Sequence, residues 1–295
     1  MAKNIVESFF DLLPIMEAWE WQLLFDVELL CTEESLWEAL TTQVCTIASD
    51  GSAIDGKGSF GWVISGGAGD ILAESKGPVH GATVTLFRAE GYGILSVLRF
   101  LLGMSKVHGG EPGNKETNQS PQDEEPRLGT LHQRIRHHQT HVAVDNDPPE
   151  TNRIRLRQHH MVCDNQSIVN KINEISKYVT MYPNSTMALE YDVSAEIRTA
   201  MRLLGTSHPV LEHIKGHQDA KKPWNELTRS AQLNCHADKL AEQFLKEFPD
   251  TDKTMVPLLP TSGCQLQMTG GTVTYDLKLK LTHARTVPPS APKDV

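Results

Sequence analysis

The sequence predicts an α/β fold built on a mixed five-stranded sheet, an antiparallel meander followed by parallel strands, with helices on both faces. Three β-rich apolar runs between residues 44 and 75 are separated by short glycine-containing turns, which is typical of a meander. Two later apolar runs, 160–163 and 208–215, have helical patterns between them, which favours parallel pairing through crossovers. Stretches 86–102 and 232–248 have helical period and can cover the faces of the sheet.

Composition and charge restrict the classes of protein. The chain has 295 residues, of which 39% are hydrophobic, enough for one large core or two modest ones. Its net charge of −9 has the wrong sign for a broad phosphate-binding face, so any nucleic-acid contact must be local. Five cysteines, an odd number without a Cys-x-x-Cys pair, indicate neither a disulfide framework nor a thiolate zinc site and favour a reducing compartment.

The N-terminal residues 1–41 are predicted to form a helical extension. Acidic residues interrupt their apolar patches, which excludes a signal-peptide core, and no run approaches the roughly 20 apolar residues of a membrane span. We therefore expect an intracellular protein, in cytoplasm or nucleus, without membrane contact. From Pro14 to Leu30 the apolar residues recur with helical period, which predicts a helix that packs on the main domain. An amphipathic interaction helix is the alternative, because Trp19 and Trp21 would be costly if exposed.

The first strand, within residues 44–52, is expected to end at Asp50. Gly51 would permit a tight exit and let a ligand approach the backbone. The next two strands, 58–65 and 71–75, complete the meander, with Trp62 as a core residue. The helix over 86–102 carries Glu90 on an apolar face, where a carboxylate is costly unless a cation or hydrogen bonds accept it.

A long insertion is predicted from about residue 105 to 157, where periodicity fails and the composition is that of a disordered segment. Its first half is acidic and its second half is rich in arginine and histidine. The segment is interpreted as a solvated linker, and a basic arm that grips phosphates is the alternative. Residues 249–295 are interpreted as a linker or tail without an assigned role.

The C-terminal half repeats the pattern of a strand that ends in a functional side chain. The run 160–163 ends in Asp164, the helices 166–176 and 187–204 follow, and the run 208–215 leads through Gly216 to His217. The last helix, 232–248, carries Asp238. Since ligands bind at the carboxyl ends of strands in open α/β sheets, we expect these side chains and Asp50 to meet at one edge.

Five short motifs, in order along residues 42–248, carry a resemblance to a known family. They are Asp50-Gly51-Ser52 with Gly58-x-Phe60-Gly61-Trp62-Val63, Phe87-Arg88-Ala89-Glu90, Cys163-Asp164-Asn165-Gln166, Ile214-Lys215-Gly216-His217, and Asn234-x-x-Ala237-Asp238-Lys239-Leu240-Ala241. This domain resembles the type-1 ribonuclease H domains, more narrowly those found with reverse transcriptases in retroelements. The resemblance implies the ribonuclease H-like form of the mixed sheet.

The resemblance also implies an activity, the metal-dependent endonucleolytic cleavage of the RNA strand of RNA–DNA hybrids. In the family four carboxylates hold two Mg²⁺, with Mn²⁺ as a substitute, and that role carries over to Asp50, Glu90, Asp164 and Asp238. The family's histidine, which assists proton transfer or product departure, carries over to His217. The implied partners are an RNA–DNA hybrid and a reverse transcriptase or another retroelement protein.

The chemistry requires these residue types. In phosphodiester hydrolysis, two hard cations about 4 Å apart can activate water and stabilise the leaving 3′-oxygen. Mg²⁺ prefers carboxylate oxygens and keeps several waters, so a few converging carboxylates suffice.

Three features depart from the family pattern and leave alternatives open. Residues 83–88 lack the paired asparagines that touch the hybrid's minor groove in family members, the insertion is unusual, and the loop from His217 to Asp238 is long. One alternative is a transposase- or integrase-like nuclease on the same fold, although its usual three-acid set is a poorer match. The other is a non-catalytic nucleic-acid-binding remnant of a retroelement, since a fold does not guarantee an activity.

Overall fold

The structure, a computed structural model, describes residues 6–81, 84–109, 155–177 and 190–248, with the short stretches 259–260, 267–268 and 271–272. The described helices are α1 (Phe9–Leu12), α2 (Ala18–Leu24), α3 (Glu33–Thr42), α4 (Leu86–His108), α5 (Gln166–Ile175), α6 (Tyr191–Leu204) and α7 (Arg229–Glu247). The described strands are β1 (Val27–Leu29), β2 (Thr46–Ile54), β3 (Lys57–Ser65), β4 (Ile71–Pro78), β5 (His160–Cys163), β6 (Val210–His213), β7 (Gln267–Met268) and β8 (Gly271–Thr272). No helix in the described ranges is long and apolar enough to cross a membrane. The intracellular location stays a prediction.

The main sheet has the strand order β1-β4-β3-β2-β5-β6. Strands β2, β3 and β4 form the antiparallel meander, and β5 and β6 extend it as parallel strands. The predicted ribonuclease H-like mixed sheet is therefore confirmed. It has one strand more than the five expected, because β1 pairs antiparallel with the outer edge of β4.

Strand β1 corrects the prediction of one continuous helix from Pro14 to Leu30. The chain there forms a 3₁₀ turn (Leu13–Ile15), then α2, then β1. The helix ends before Val27 because Val27–Leu29 pair with the backbone groups at the edge of β4. A local sequence pattern does not reveal this pairing. Trp19 is buried as the packing interpretation expects, whereas Trp21 is 44% exposed.

Strand β2 lies at the centre of the sheet, and helices cover both of its faces. On one face Ile47, Phe60 and Trp62 belong to the large core that includes α4. On the other face Ala48 and Val63 pack against α7. Successive residues of a strand point to opposite faces, so the alternation Ile47 and Ala48 assigns each helix to its side.

The predicted boundaries of the insertion need a correction at both ends. Helix α4 continues to His108, which stacks on Trp37 and contacts Glu33 at 2.7 Å. At the other end Leu156 is 5% exposed within the core, and its carbonyl accepts a hydrogen bond from Ser207. The rest of the insertion, and most of the tail 249–295, lies outside the described residues.

Candidate metal and nucleic-acid site

Asp50 lies in the middle of β2, not at its end as the sequence analysis predicts. The strand continues to Ile54, because its pairing with β3 runs on to a tight turn in which Asp55 and Gly56 both have positive φ. The Asp50 carboxylate is fixed at both oxygens: the Gly51 N–H donates to Oδ1 at 2.7 Å, and the Asn234 amide donates to Oδ2 at 3.0 Å. The side chain is 4% exposed.

Gly51 serves helix packing, which corrects its predicted role as a tight exit open to a ligand. A Cβ at this position would overlap the backbone at Ala89 and Glu90 of α4. The first turns of α4 can therefore lie directly against β2, with Thr85 as the N-cap that accepts from the Arg88 N–H. This close approach brings the Glu90 carboxylate, 1% exposed, near Asp50.

Asp164 follows β5 directly, as predicted. The parallel register pairs Thr46 with His160 and Ala48 with Val162, so its continuation places position 164 beside position 50. Gly216, in the loop after β6, packs so closely on Asp164 that a Cβ there would overlap the carboxylate. Ligand atoms of Glu90, Cys163 and Asp164 all lie within 4.8 Å of one another.

Asp238 and His217 complete the group of predicted site residues. Asp238 lies in α7, and His217 has a left-handed backbone four residues after β6 ends. The His217 Nδ1 atom lies 3.8 Å from Asp238 Oδ2, and the His217 side chain is 74% exposed. The structure therefore brings all five predicted side chains together, although not at the end of β2, and we call Asp50, Glu90, Asp164 and Asp238 the carboxylate site.

The carboxylates strongly perturb one another. Burial, followed by the charges of Asp164 and Asp238, raises the pKa of Asp50 to about 8. Burial, followed by the charges of Asp50 and Asp164, raises the pKa of Glu90 well above its ordinary value. Burial also raises the pKa of Asp238, with smaller effects from Glu242 and His217 in opposite directions. Within the described residues, no lysine or arginine pairs with Asp50 or Glu90.

Two further side chains contact the site without having been assigned a role from the sequence. Asn234 lies one helical turn before Asp238 on α7 and donates to Asp50. Its place in the last motif was the only indication of this role in the sequence. The Cys163 thiol donates to Glu90 Oε2 at 3.5 Å, and burial, followed by the Glu90 charge, raises the pKa of the thiol well above its ordinary value. Cys163 therefore stays a protonated donor.

Comparison with models of known protein families gives no match, and comparison with curated proteins gives none either. Solved structures of ribonuclease H domains are similar to the chain. The N-terminal ribonuclease H domain of a Mycobacterium tuberculosis protein is 13% identical, with a TM-score of 0.37 over 70% of this chain and 96% of that one. A ribonuclease H1 isolated from compost, solved with an RNA/DNA hybrid, is 15% identical, with a TM-score of 0.37 over 70% and 99%.

The ribonuclease H domain of prototype foamy virus is similar at 16% identity, with a TM-score of 0.39 over 68% of this chain and 93% of that domain. The fold of the present chain follows from its own strand order, an antiparallel meander joined to two parallel strands.

The donor set of the carboxylate site fits a hard divalent cation. Its oxygens are the ligands that Mg²⁺ and Mn²⁺ take, whereas a zinc or thiolate-metal site would need histidine or ionised cysteine. The raised pKa of Asp50 and Glu90 means that this cluster, by itself, favours protons over negative charge. A bound cation would remove that penalty, so the residues fit the group that the resemblance implies.

Proposed function

We propose that the protein is a metal-dependent endonuclease that hydrolyses the RNA strand of RNA–DNA hybrids. The observation that carries the proposal is the carboxylate site, in which four acids from separate elements converge. Asp50 and Glu90 are buried there without a basic partner among the described side chains. Such an arrangement costs stability unless cations neutralise it, so a structural role alone explains it poorly.

In this function Asp50, Glu90, Asp164 and Asp238 would hold two Mg²⁺, with Mn²⁺ as a substitute. Divalent cations held by these residues would supply activation of water and stabilisation of the leaving 3′-oxygen of the cut strand. The proposed substrate is an RNA–DNA hybrid, which a protein can distinguish from duplex DNA by its 2′-hydroxyl groups and its groove shape. A reverse transcriptase or another retroelement protein as a partner stays a prediction.

The chain's own residues prepare the site. The Gly51 N–H and the Asn234 amide fix both oxygens of Asp50, so the orientation of this carboxylate is set before substrate arrives. The neutral Cys163 thiol holds one oxygen of Glu90. His217 contacts Asp238 through Nδ1 and is largely exposed, which leaves Nε2 free to exchange a proton with a leaving oxygen or with solvent.

A cleavage assay with labelled hybrid, double-stranded RNA and duplex DNA in Mg²⁺ tests the proposal. We expect cleavage of the RNA strand of the hybrid by the wild type. Asp50→Asn and Asp164→Asn should reduce the rate to background, whereas His217→Ala should retain slow activity because it assists but does not hold the cations. Asp70→Asn, an exposed acid in the β3–β4 turn, is the matched control and should cut at the wild-type rate.

Each failure of this assay has a distinct meaning. An Asp50→Asn enzyme with undiminished turnover would refute the assignment of the site. Preferred cleavage of duplex DNA would favour the transposase- or integrase-like alternative. Binding without any cleavage by the wild type would favour the non-catalytic remnant.

A further inference from the structure

The segment between His217 and α7 is long and exposed, and the proposed chemistry does not use it. We call residues 218–226 the lysine loop after Lys221 and Lys222, whose charges are balanced within the loop by Asp219 and Glu226. All of its residues from Asp219 to Glu226 are exposed. Trp224 is 48% exposed, which is unusual for so large an apolar side chain.

The lysine loop has a defined structure with its own internal hydrogen bonds. Two short 3₁₀ turns, Gln218–Ala220 and Trp224–Glu226, give it shape. The backbone N–H groups of Lys221 and Lys222 both donate to the Gln218 carbonyl at 3.1 Å, and the Gln232 side chain of α7 donates to the Trp224 carbonyl at 2.9 Å. The lysines and the tryptophan are therefore displayed from a defined backbone.

A small apolar cluster anchors the end of the loop to the domain. Leu227, 7% exposed, packs with Ala231 and Cys235 of α7, and Ile214 lies against the same cluster. The anchor residue is thus Leu227, and Trp224 does not belong to this cluster. The exposed indole has no packing role that would account for it.

The lysine loop lies next to the carboxylate site. It begins directly after His217, whose ring contacts Asp238, and Lys239 is the next residue of α7. The Lys239 ammonium lies 5.1 Å from the centroid of the Trp224 ring, a cation–π contact that holds the indole beside the site. Lys239 and the exposed ring of Trp224 therefore lie beside the carboxylate site, and Lys221 and Lys222 belong to the same loop as Trp224.

We propose that the lysine loop binds the backbone of the nucleic acid beside the scissile position, a proposal that rests on the proposed function. Lys221 and Lys222 neutralise two phosphates, and Trp224 packs on a sugar ring of the same strand. Bases in a duplex are paired and stacked, so sugars and phosphates are the surface that such a loop reaches.

Binding of a fluorescent hybrid to an Asp50→Asn parent, measured by anisotropy across a range of NaCl concentrations in Mg²⁺, tests the proposal. The double variant Lys221→Gln/Lys222→Gln should bind more weakly, with a log–log salt slope shallower by about 1.8, from roughly 0.9 per lost phosphate contact on the B-DNA scale. Trp224→Ala should weaken binding about fivefold to tenfold with an unchanged slope, and Trp224→Phe should restore most of the loss.

Matched controls separate the loop from general charge and stability. Lys106→Gln/Lys246→Gln removes two exposed lysines at helix ends, and Trp21→Ala removes an equally exposed tryptophan far along the chain. Both should leave affinity and slope unchanged. A thermal melt of each variant that matches the parent's excludes unfolding as the cause.

The proposal would be overturned if the salt slope of Lys221→Gln/Lys222→Gln equalled that of the parent. It would also be overturned if the control variants flattened the slope as much. Since binding and cleavage are measured apart, the two proposals can fail separately. A wild type that binds hybrid without cleaving it would refute only the proposed nuclease function. If the wild type cleaves hybrid and the Lys221→Gln/Lys222→Gln variant binds it as tightly as the parent does, only the proposal for the loop is refuted. A wild type that binds no nucleic acid would refute both.

Discussion

Replacement of Arg88 by methionine should destabilise the fold severely, because this side chain joins the start of α4 to the start of α6. Arg88 is 3% exposed and forms a two-pronged pair with Asp192 at 2.8 and 2.9 Å. It also donates to Glu190 at 2.7 Å, to the Tyr92 hydroxyl at 3.3 Å and to the His80 carbonyl. Without it, the buried Glu190 carboxylate would lose its cation.

The expected magnitude follows from that burial. Removal of one partner of a buried ion pair costs about 3–5 kcal/mol, a large share of the roughly 5–15 kcal/mol that stabilise a typical domain. Burial already raises the pKa of Glu190, against the opposing effect of Arg88, so the loss should be smaller in acid, where Glu190 takes up a proton. Arg88→Lys keeps the charge but loses the fork, and should cost roughly half as much.

Urea unfolding at pH 7 measures these effects. With an m-value of about 2.5 kcal/mol per molar urea, Arg88→Met should lower the midpoint by roughly 1–2 M. The double variant Arg88→Met/Glu190→Gln should recover at least about 1 kcal/mol, because no carboxylate is then left unpaired at position 190. Arg202→Met, exposed on α6, should change stability by less than about 0.5 kcal/mol. The reasoning is refuted if Arg88→Met costs under about 1 kcal/mol, or if the double variant is no more stable than the single one.

Three further predictions concern metal, pH and the insertion. Millimolar Mg²⁺ or Mn²⁺ should raise the melting temperature of the wild type by linkage, and the shift should shrink in Asp50→Asn; equal shifts in both would argue against binding at this site. Burial, followed by the charge of His160, lowers the pKa of His159 to about 4. The neutral ring therefore costs the fold no stability above pH 6.5, and the free energy of unfolding falls by at most about 3 kcal/mol as pH falls toward 4. The urea midpoint at pH 4.5, relative to that at pH 7, should therefore be higher in His159→Gln than in the wild type, because the lowered pKa of His80 and the raised pKa of Asp50 and Glu90 act equally in both proteins. Replacement of residues 110–154 by a short Gly/Ser linker should change the free energy of unfolding by no more than about 1–2 kcal/mol, which a melt of both proteins would check; an unfolded product would show that the segment is structural.

The sequence predicts the sheet well where its signals are local. Strands β3 and β5 and the helix that carries Glu90 have strong apolar periodicity, so their existence and type were predictable. Strand β1 was missed because three residues carry no usable period, and their pairing with β4 depends on an edge some 45 positions away. The position of Asp50 within β2 was missed for a related reason: the turn at Asp55 and Gly56, not Gly51, ends the strand.

The carboxylate site was predictable as a set of residues but not as an arrangement. Motif order named the acids and His217, whereas the contact of Asn234 with Asp50 joins side chains 184 positions apart. The role of Gly51 was misinterpreted because glycine permits either a turn or a close approach, and only the helix packed against it distinguishes them. Long-range packing therefore determined what local pattern could not.

The order of the four acids along the chain has a consequence for synthesis on the ribosome. Asp50 and Glu90 emerge first, on β2 and α4, whereas Asp238 follows Glu90 by 148 residues, on the helix that closes the opposite face. At translation speeds of about 5–20 residues per second, roughly 7–30 s separate the two events. During that interval the nascent chain holds two and then three of its four acids, so the complete carboxylate site cannot form until α7 has been synthesised.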